Sequence, residues 1–117
     1  MNKFKELIVW QKGIDLTEFV YLLTNQFPND EKFGLTSQIK RCVVSIPSNI
    51  AEGAGRNSKN EFRHFLSIAL GSSYELETQL ILANRFNYFN NERLEEVLAK
   101  LDEVQKMIIG LQKSLSV

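Results

Sequence analysis

The chain has 117 residues, 44% of them apolar and 24% charged, and its 14 basic and 14 acidic side chains cancel. This length predicts one domain, spanning residues 1–117, with enough apolar surface to fold without disulfides. The neutral balance lacks the excess of positive charge typical of proteins that coat nucleic acid. With one cysteine and one histidine, neither a disulfide within these residues nor a Cys/His metal cluster is available, and we expect no cofactor.

Apolar residues recur at the 3.6-residue spacing of amphipathic helices along almost the whole chain, which predicts an all-α fold. The first predicted helix covers about Val9 to Gln26 and stops before Pro28, because proline disfavours helix at the residue before it. The second begins near Thr36 or Ser37, with one of them as its cap. Its apolar face comprises Ile39, Val43, Ile46 and Ile50, with Cys42 beside them.

The third predicted helix begins after Ser58, which is followed by Glu61 at the spacing of a capping box, and it runs to about Asn87. Gly71 weakens a helix interior by about 1 kcal/mol, so a break at this glycine is the alternative. The apolar stripe keeps its phase across Gly71, which favours one continuous helix. This stripe comprises Phe62, Phe65, Ala69, Ser72, Leu76, Leu80 and Ala83.

The fourth helix begins after the turn FNYFNN, with Asn90 or Asn91 as its cap. Its apolar residues follow a heptad without interruption, as in helices that pack side by side. Four long helices with short connections predict an up-down-up-down antiparallel four-helix bundle. The heptad residues are Leu94, Val97, Leu101, Val104, Ile108, Leu111 and Leu115.

Polar groups interrupt the second helix within the segment RCVVSIPSNIAEGAG, and Pro47 removes a backbone donor there, which leaves the Val43 carbonyl free. The small residues around Gly71 allow a close approach, so we expect Arg41 to pair with Glu75 or Glu77. Three interpretations remain open: a solvated face with incidental ion pairs, a polar network between helices or subunits, and a catalytic pocket. The candidate network comprises Arg41, Ser45, Asn49, Glu52, Ser72, Glu75 and Glu77.

Three segments carry a resemblance to a known family: SIPSNIAEG (Ser45–Gly53), EFRHFLSIALGSSYELETQL (Glu61–Leu80) and LIVWQK (Leu7–Lys12). They resemble the bacterial four-helix bundle proteins that are encoded by intervening sequences in 23S ribosomal RNA genes. This resemblance implies a bundle that assembles as a ring-like homopentamer. The chain is also similar to the accessory variability protein of diversity-generating retroelements, a basic pentamer that binds nucleic acid and a reverse transcriptase. Its neutral charge departs from that relative.

Basic residues gather where the second helix gives way to the third, namely Arg56, Lys59, Arg63 and His64. In a cyclic oligomer such a patch would form a basic rim, and weak phosphate contacts would add up through multivalency. The alternative is an ordinary solvated surface.

No nucleophile with an adjacent base is recognisable in the sequence. We therefore expect a non-enzymatic, self-associating module with itself as partner, and the family resemblance implies that this self-association gives a homopentamer. The alternative is an accessory protein that binds RNA or DNA, or a nucleic-acid-associated protein, through the basic rim. The N-terminal apolar run LIVW is too short for a signal or membrane segment, so we expect a cytoplasmic protein and no membrane partner.

Overall fold

The computed structural model describes residues 3–116 and contains four long helices, which confirms the all-α prediction. Two short 3-10 turns, Phe4–Glu6 and Asn29–Glu31, precede the first and second of them. The helices are α1 (Ile8–Thr24), α2 (Leu35–Ala54), α3 (Lys59–Arg85) and α4 (Asn91–Leu115).

Each helix contacts the helix that follows it, and α4 returns to contact α1. Because short connections join antiparallel neighbours, this order gives the up-down-up-down four-helix bundle predicted from the sequence. The bundle is 45 Å long and 24 Å by 20 Å across. The α3 helix continues through Gly71 without a break, so the continuous helix was the correct alternative.

The core of the bundle is built from the apolar faces of α2 and α4 much as the sequence predicts. Ile39, Val43, Ile46 and Ile50 are fully buried, as are Val97 and Ile108. Each fully buried aliphatic side chain of this size contributes about 1.5–3 kcal/mol. The heptad residues at the two ends of α4 are only half-buried: Leu94, Leu111 and Leu115.

The inner face of α3 differs from the predicted stripe. Leu66 and Ser73 are fully buried, whereas the predicted Phe62, Phe65 and Ser72 are only half-buried. Alternating steps of three and four residues define the true core face, and they place the half-buried positions toward α2 instead. The residues of that core face are Leu66, Ala69, Ser73, Leu76, Leu80 and Ala83.

Two of the predicted caps are confirmed. The Glu61 N–H donates to Ser58 Oγ over 3.1 Å at the start of α3, and the Arg93 N–H donates to Asn90 Oδ1 over 2.8 Å at the start of α4. These bonds satisfy N–H groups that have no carbonyl partner within the first turn of a helix.

The predicted cap of α2 is wrong. This helix begins at Leu35, whose N–H donates to Glu31 Oε1 over 3.1 Å, so a carboxylate from the preceding 3-10 turn caps it in place of Thr36 or Ser37. A Cβ on Gly34 would lie 2.6 Å from the same oxygen. The glycine therefore leaves the room that the capping carboxylate needs.

Pro47 is buried against α1 and does not belong to the polar edge of α2. A Cβ on Gly13 would lie 3.4 Å from Pro47 Cβ, which shows how closely α1 approaches. The Thr17 hydroxyl donates to the Gly13 carbonyl over 2.8 Å and lies 3.4 Å from the Val43 carbonyl. The carbonyl freed by proline thus shares the single Thr17 proton as the longer arm of a bifurcated bond, whose shorter arm goes to Gly13.

Aromatic side chains close the end of the bundle where α3 turns into α4. The rings of Phe27 and Phe89 stack with their centroids 5.8 Å apart, and Tyr88 packs against Phe27 at 5.6 Å. The Tyr88 hydroxyl donates to Glu31 Oε2 over 2.7 Å. This bond lowers the pKa of Glu31 and raises that of Tyr88. The same glutamate therefore caps α2 and joins it to the α3–α4 turn.

Candidate functional site

A shallow polar groove of about 360 Å³ runs between α2 and α3, and we call it the α2–α3 groove. It brings together four of the seven residues of the predicted polar network, namely Arg41, Ser45, Ser72 and Glu75. Its full lining is Gln38, Arg41, Cys42, Ser45, Ser72, Glu75 and Gln79.

The predicted ion pair between Arg41 and Glu75 or Glu77 is wrong, since none joins Arg41 to either carboxylate in the described part of the chain. Arg41 Nη2 instead donates to Ser37 Oγ over 3.3 Å. Glu77 Oε1 accepts from Gln105 Nε2 of α4 over 3.0 Å. Two residues along a helix correspond to a rotation of about 200° around its axis. Glu75 and Glu77 therefore point to nearly opposite sides of α3 and contact different neighbours.

The remaining polar residues of α2 bond within their own helix. Asn49 Nδ2 donates to the Ser45 carbonyl over 2.8 Å, and the Ser45 hydroxyl donates to the Cys42 carbonyl over 2.6 Å. Glu52 forms an exposed ion pair of 3.4 Å with Arg56, one turn further along. Asn49 and Glu52 therefore lie outside the α2–α3 groove.

Cys42 joins α2 to α3, a role that the sequence did not indicate. Its thiol donates to the Ser72 carbonyl over 3.0 Å and lies 3.6 Å from Glu75 Oε1. Burial and the neighbouring Glu75 carboxylate raise its pKa to about 12, so the thiol stays protonated and is a poor nucleophile.

Gln79 was also missed, although it lies one turn beyond Glu75 on the side of α3 that faces α2. Its side chain is buried, and its Oε1 has no hydrogen-bond partner. The signal in the sequence was the spacing of Ser72, Glu75 and Gln79, in steps of three and four residues, which marks one helix face. A prediction based on apolar residues alone overlooked this polar stripe.

The basic residues divide into two groups. Arg63 and His64 line a groove of about 520 Å³ between the start of α3 and the end of α4, which we call the α3–α4 groove. Lys113, which the sequence did not single out, adds a third basic side chain there. Among residues 3–116, none with a carboxylate side chain lines it: the lining is Asn60, Arg63, His64, Ser67, Ile109, Gln112, Lys113 and Ser116.

Arg56 and Lys59 are absent from the lining of the α3–α4 groove. The Arg56 guanidinium lies 4.8 Å from the centre of the Phe65 ring and forms an exposed ion pair with Glu52 of α2. Lys59 is exposed in the first turn of α3. Within one copy, Arg63 and His64 of the predicted basic cluster thus share the α3–α4 groove with Lys113.

Within residues 3–116, no group of three or more His, Cys, Asp or Glu side chains is arranged to hold a metal ion. The helices described for these residues include none that is long and apolar enough to cross a membrane.

Two exposed apolar surfaces lie on adjacent sides of the bundle, one on either side of α2. The first, the α1–α2 surface, combines four apolar side chains with three cations and includes Phe33, which is 90% exposed. Lys40 Nζ lies 5.0 Å from the centre of the Tyr21 ring, and Lys32 Nζ lies 5.6 Å from that of Phe33. The surface comprises Glu18, Tyr21, Leu22, Lys32, Phe33, Ser37, Lys40, Arg41 and Val44.

The second exposed surface, the α3 stripe, follows the outer face of α3. At 100° per residue its members lie within about 60° of one another, and all of them are exposed. Glu75 is its charged residue, and it also borders the α2–α3 groove. The stripe comprises Ile68, Gly71, Glu75, Leu82 and Phe86.

Comparisons with known proteins agree with this architecture. The profile of the 23S rRNA-intervening sequence protein family matches residues 5–110. A solved structure from Bacteroides thetaiotaomicron, of a protein of unknown function from the S23 ribosomal protein family, is similar with a TM-score of 0.82 and 29% sequence identity. The match covers 91% of this chain and 96% of that one. The comparison with curated proteins gives no match. The chain belongs to the 23S rRNA-intervening sequence protein family.

Proposed function

We propose that the protein is a non-enzymatic, cytoplasmic interaction module that assembles with copies of itself into a homopentameric ring. The presence of two exposed apolar surfaces, the α1–α2 surface and the α3 stripe, carries this proposal. Exposed apolar side chains gathered on one face, as Tyr21, Leu22, Phe33 and Val44 are on the α1–α2 surface, mark sites of association. The protonated Cys42 thiol and the hydrogen bond from Ser45 to its own helix favour a binding role over catalysis.

The position of the two surfaces favours a ring over a filament. They differ in composition, so a contact between them is head-to-tail and leaves one surface free on each terminal copy. Because they lie on adjacent sides that meet along α2, each added copy turns the direction of growth. When the copies also stay at one height, repeated turning in one sense closes the assembly into a ring, whereas a rise along the axis gives a helical filament.

The native mass of the purified protein tests this proposal. We expect a mass five times that of the 13.5 kDa chain, measured by native mass spectrometry and by light scattering after size exclusion. A monomer at micromolar concentration contradicts self-association. A stable assembly of another size contradicts the pentamer while leaving self-association intact.

A second candidate function, contact with RNA or DNA, is favoured by the α3–α4 groove. Arg63, His64 and Lys113 converge there, and no carboxylate of the described residues lines it. Guanidinium and ammonium groups are the usual partners of phosphate oxygens. A ring would repeat the groove on every copy, and linked sites bind far more tightly than single ones.

Fluorescence anisotropy with labelled single-stranded RNA and DNA at low salt tests this second function. We expect Arg63→Ala and Lys113→Ala each to weaken binding and to reduce its dependence on salt, because each removes a phosphate contact. Arg56→Ala removes the same charge outside the groove and is the matched control. Equal losses from all three variants, or no binding by the native protein, contradict a role for the groove.

A further inference from the structure

We propose that neighbouring copies stand side by side with parallel axes, with the α1–α2 surface of one copy packed against the α3 stripe of the next. This inference rests on the proposed self-association and adds to it which residues meet. Charge complementarity supports the pairing. The α1–α2 surface contains three cations, Lys32, Lys40 and Arg41, against one acid, Glu18, and the charged residue of the α3 stripe is Glu75.

The heights of the two surfaces along the bundle also match. The 3.0 Å contact between Cys42 Sγ and the Ser72 carbonyl sets antiparallel α2 against α3. Counting from this contact at 1.5 Å per residue, Lys40 lies level with about Glu75. Copies related by rotation about an axis parallel to the bundle keep their heights. Lys40 of one copy therefore faces Glu75 of the neighbouring copy.

Phe33 is the apolar contact of this pairing. It lies in the turn two residues before α2 begins at Leu35. The same count places Leu35 level with about Leu80, so Phe33 stands at the end of the bundle near Leu82. Phe33 is 90% exposed and Leu82 is 42% exposed. The exposed aromatic side chain of Phe33 would be buried by an apolar partner surface. The cations around it would be paired by an acidic residue on that surface. The α3 stripe of a second copy has both properties.

Gly71 is compatible with the pairing because of its height in the bundle, although Gly110 of α4 is equally open. A Cβ on Gly71 would meet nothing within 4 Å, although glycine in a helix costs about 1 kcal/mol relative to alanine. In the paired arrangement Gly71 lies level with about Val44, which is 39% exposed. The missing side chain allows the neighbouring α2 to approach at that height.

Native mass and dissociation on dilution test the pairing in full-length protein. Phe33→Asp changes a side chain that packs on little in its own copy, so we expect a helical monomer. Ile8→Asp is the matched control, because Ile8 is 59% exposed but lies outside both surfaces; this variant should keep the native mass. Circular dichroism checks that each variant remains folded.

A charge exchange gives an independent measurement of the same contact. Lys40→Glu and Glu75→Lys should each raise the concentration of half-dissociation at least tenfold, and the double variant should recover most of this loss, because it restores an opposite pair. A pentamer that survives Phe33→Asp, or a double variant no tighter than the singles, overturns the pairing. A native protein that is monomeric contradicts the proposed function itself.

Discussion

The inner and outer sides of α2 contain equally unusual residues, but their environments differ. On the inner side, Pro47 packs against Gly13, and Gly53 packs so closely on α3 that a Cβ would lie 2.7 Å from Phe65 Cβ. On the outer side, Arg41 is exposed and bonds only one turn back, to Ser37. Unusual residues that contact other helices of the same chain indicate close packing. Unusual residues that are exposed to solvent indicate a surface available to a partner.

Gly53→Ala should produce the largest effect, because the added methyl group collides with Phe65 Cβ and with Phe62 Cδ1 at 3.0 Å. We expect a loss of about 1–3 kcal/mol in the free energy of unfolding, measured by urea denaturation. Gly110→Ala is the control, since a Cβ there meets nothing within 4 Å; it should gain up to about 1 kcal/mol. Equal responses would show that inner packing does not require Gly53.

Thr17→Val tests whether the carbonyl freed by Pro47 depends on the hydroxyl of α1. Valine keeps the shape but removes the donor that lies 3.4 Å from the Val43 carbonyl, so we expect a loss of about 1 kcal/mol. Thr78→Val removes a hydroxyl that bonds only its own helix, to the Tyr74 carbonyl, and should cost less. A Thr78→Val loss as large as that of Thr17→Val would contradict a specific role across the helices.

The Cys42 thiol lies between the two sides, and its raised pKa predicts a pH dependence. Its pKa rises from 9.0 to about 12 on folding, so the unfolded chain loses this proton first as the pH increases. The contribution of Cys42 to the free energy of unfolding should therefore be fully present below about pH 9 and be lost between pH 9 and 12. Cys42→Ala should reduce this alkaline decline in urea denaturation series. An unchanged decline would show that other groups cause it.

Arg41→Ala should have the smallest effect on the stability of a single copy, within about 0.5 kcal/mol, because the side chain is exposed. Its effect should appear in association, as a several-fold higher concentration of half-dissociation. Lys106→Ala, which removes an exposed cation paired with Asp102 on α4, should change neither quantity. If the assembly of Arg41→Ala is as stable as that of the native protein, the outer edge of α2 takes no part in self-association.

The four helices of this protein are predictable from local patterns in its sequence. The isoleucine face of α2, the heptad of α4 and the caps Ser58 and Asn90 depend on residues a few positions apart, and local spacing is visible in one chain. Which residues of different helices lie side by side is known only from the tertiary structure. Glu31 caps α2 and bonds Tyr88, 57 residues away, and Lys113 lines the same groove as Arg63, which precedes it by 50 residues. Such contacts depend on the rotation and height of each helix against its neighbours, which side-chain packing sets and helical periodicity does not encode.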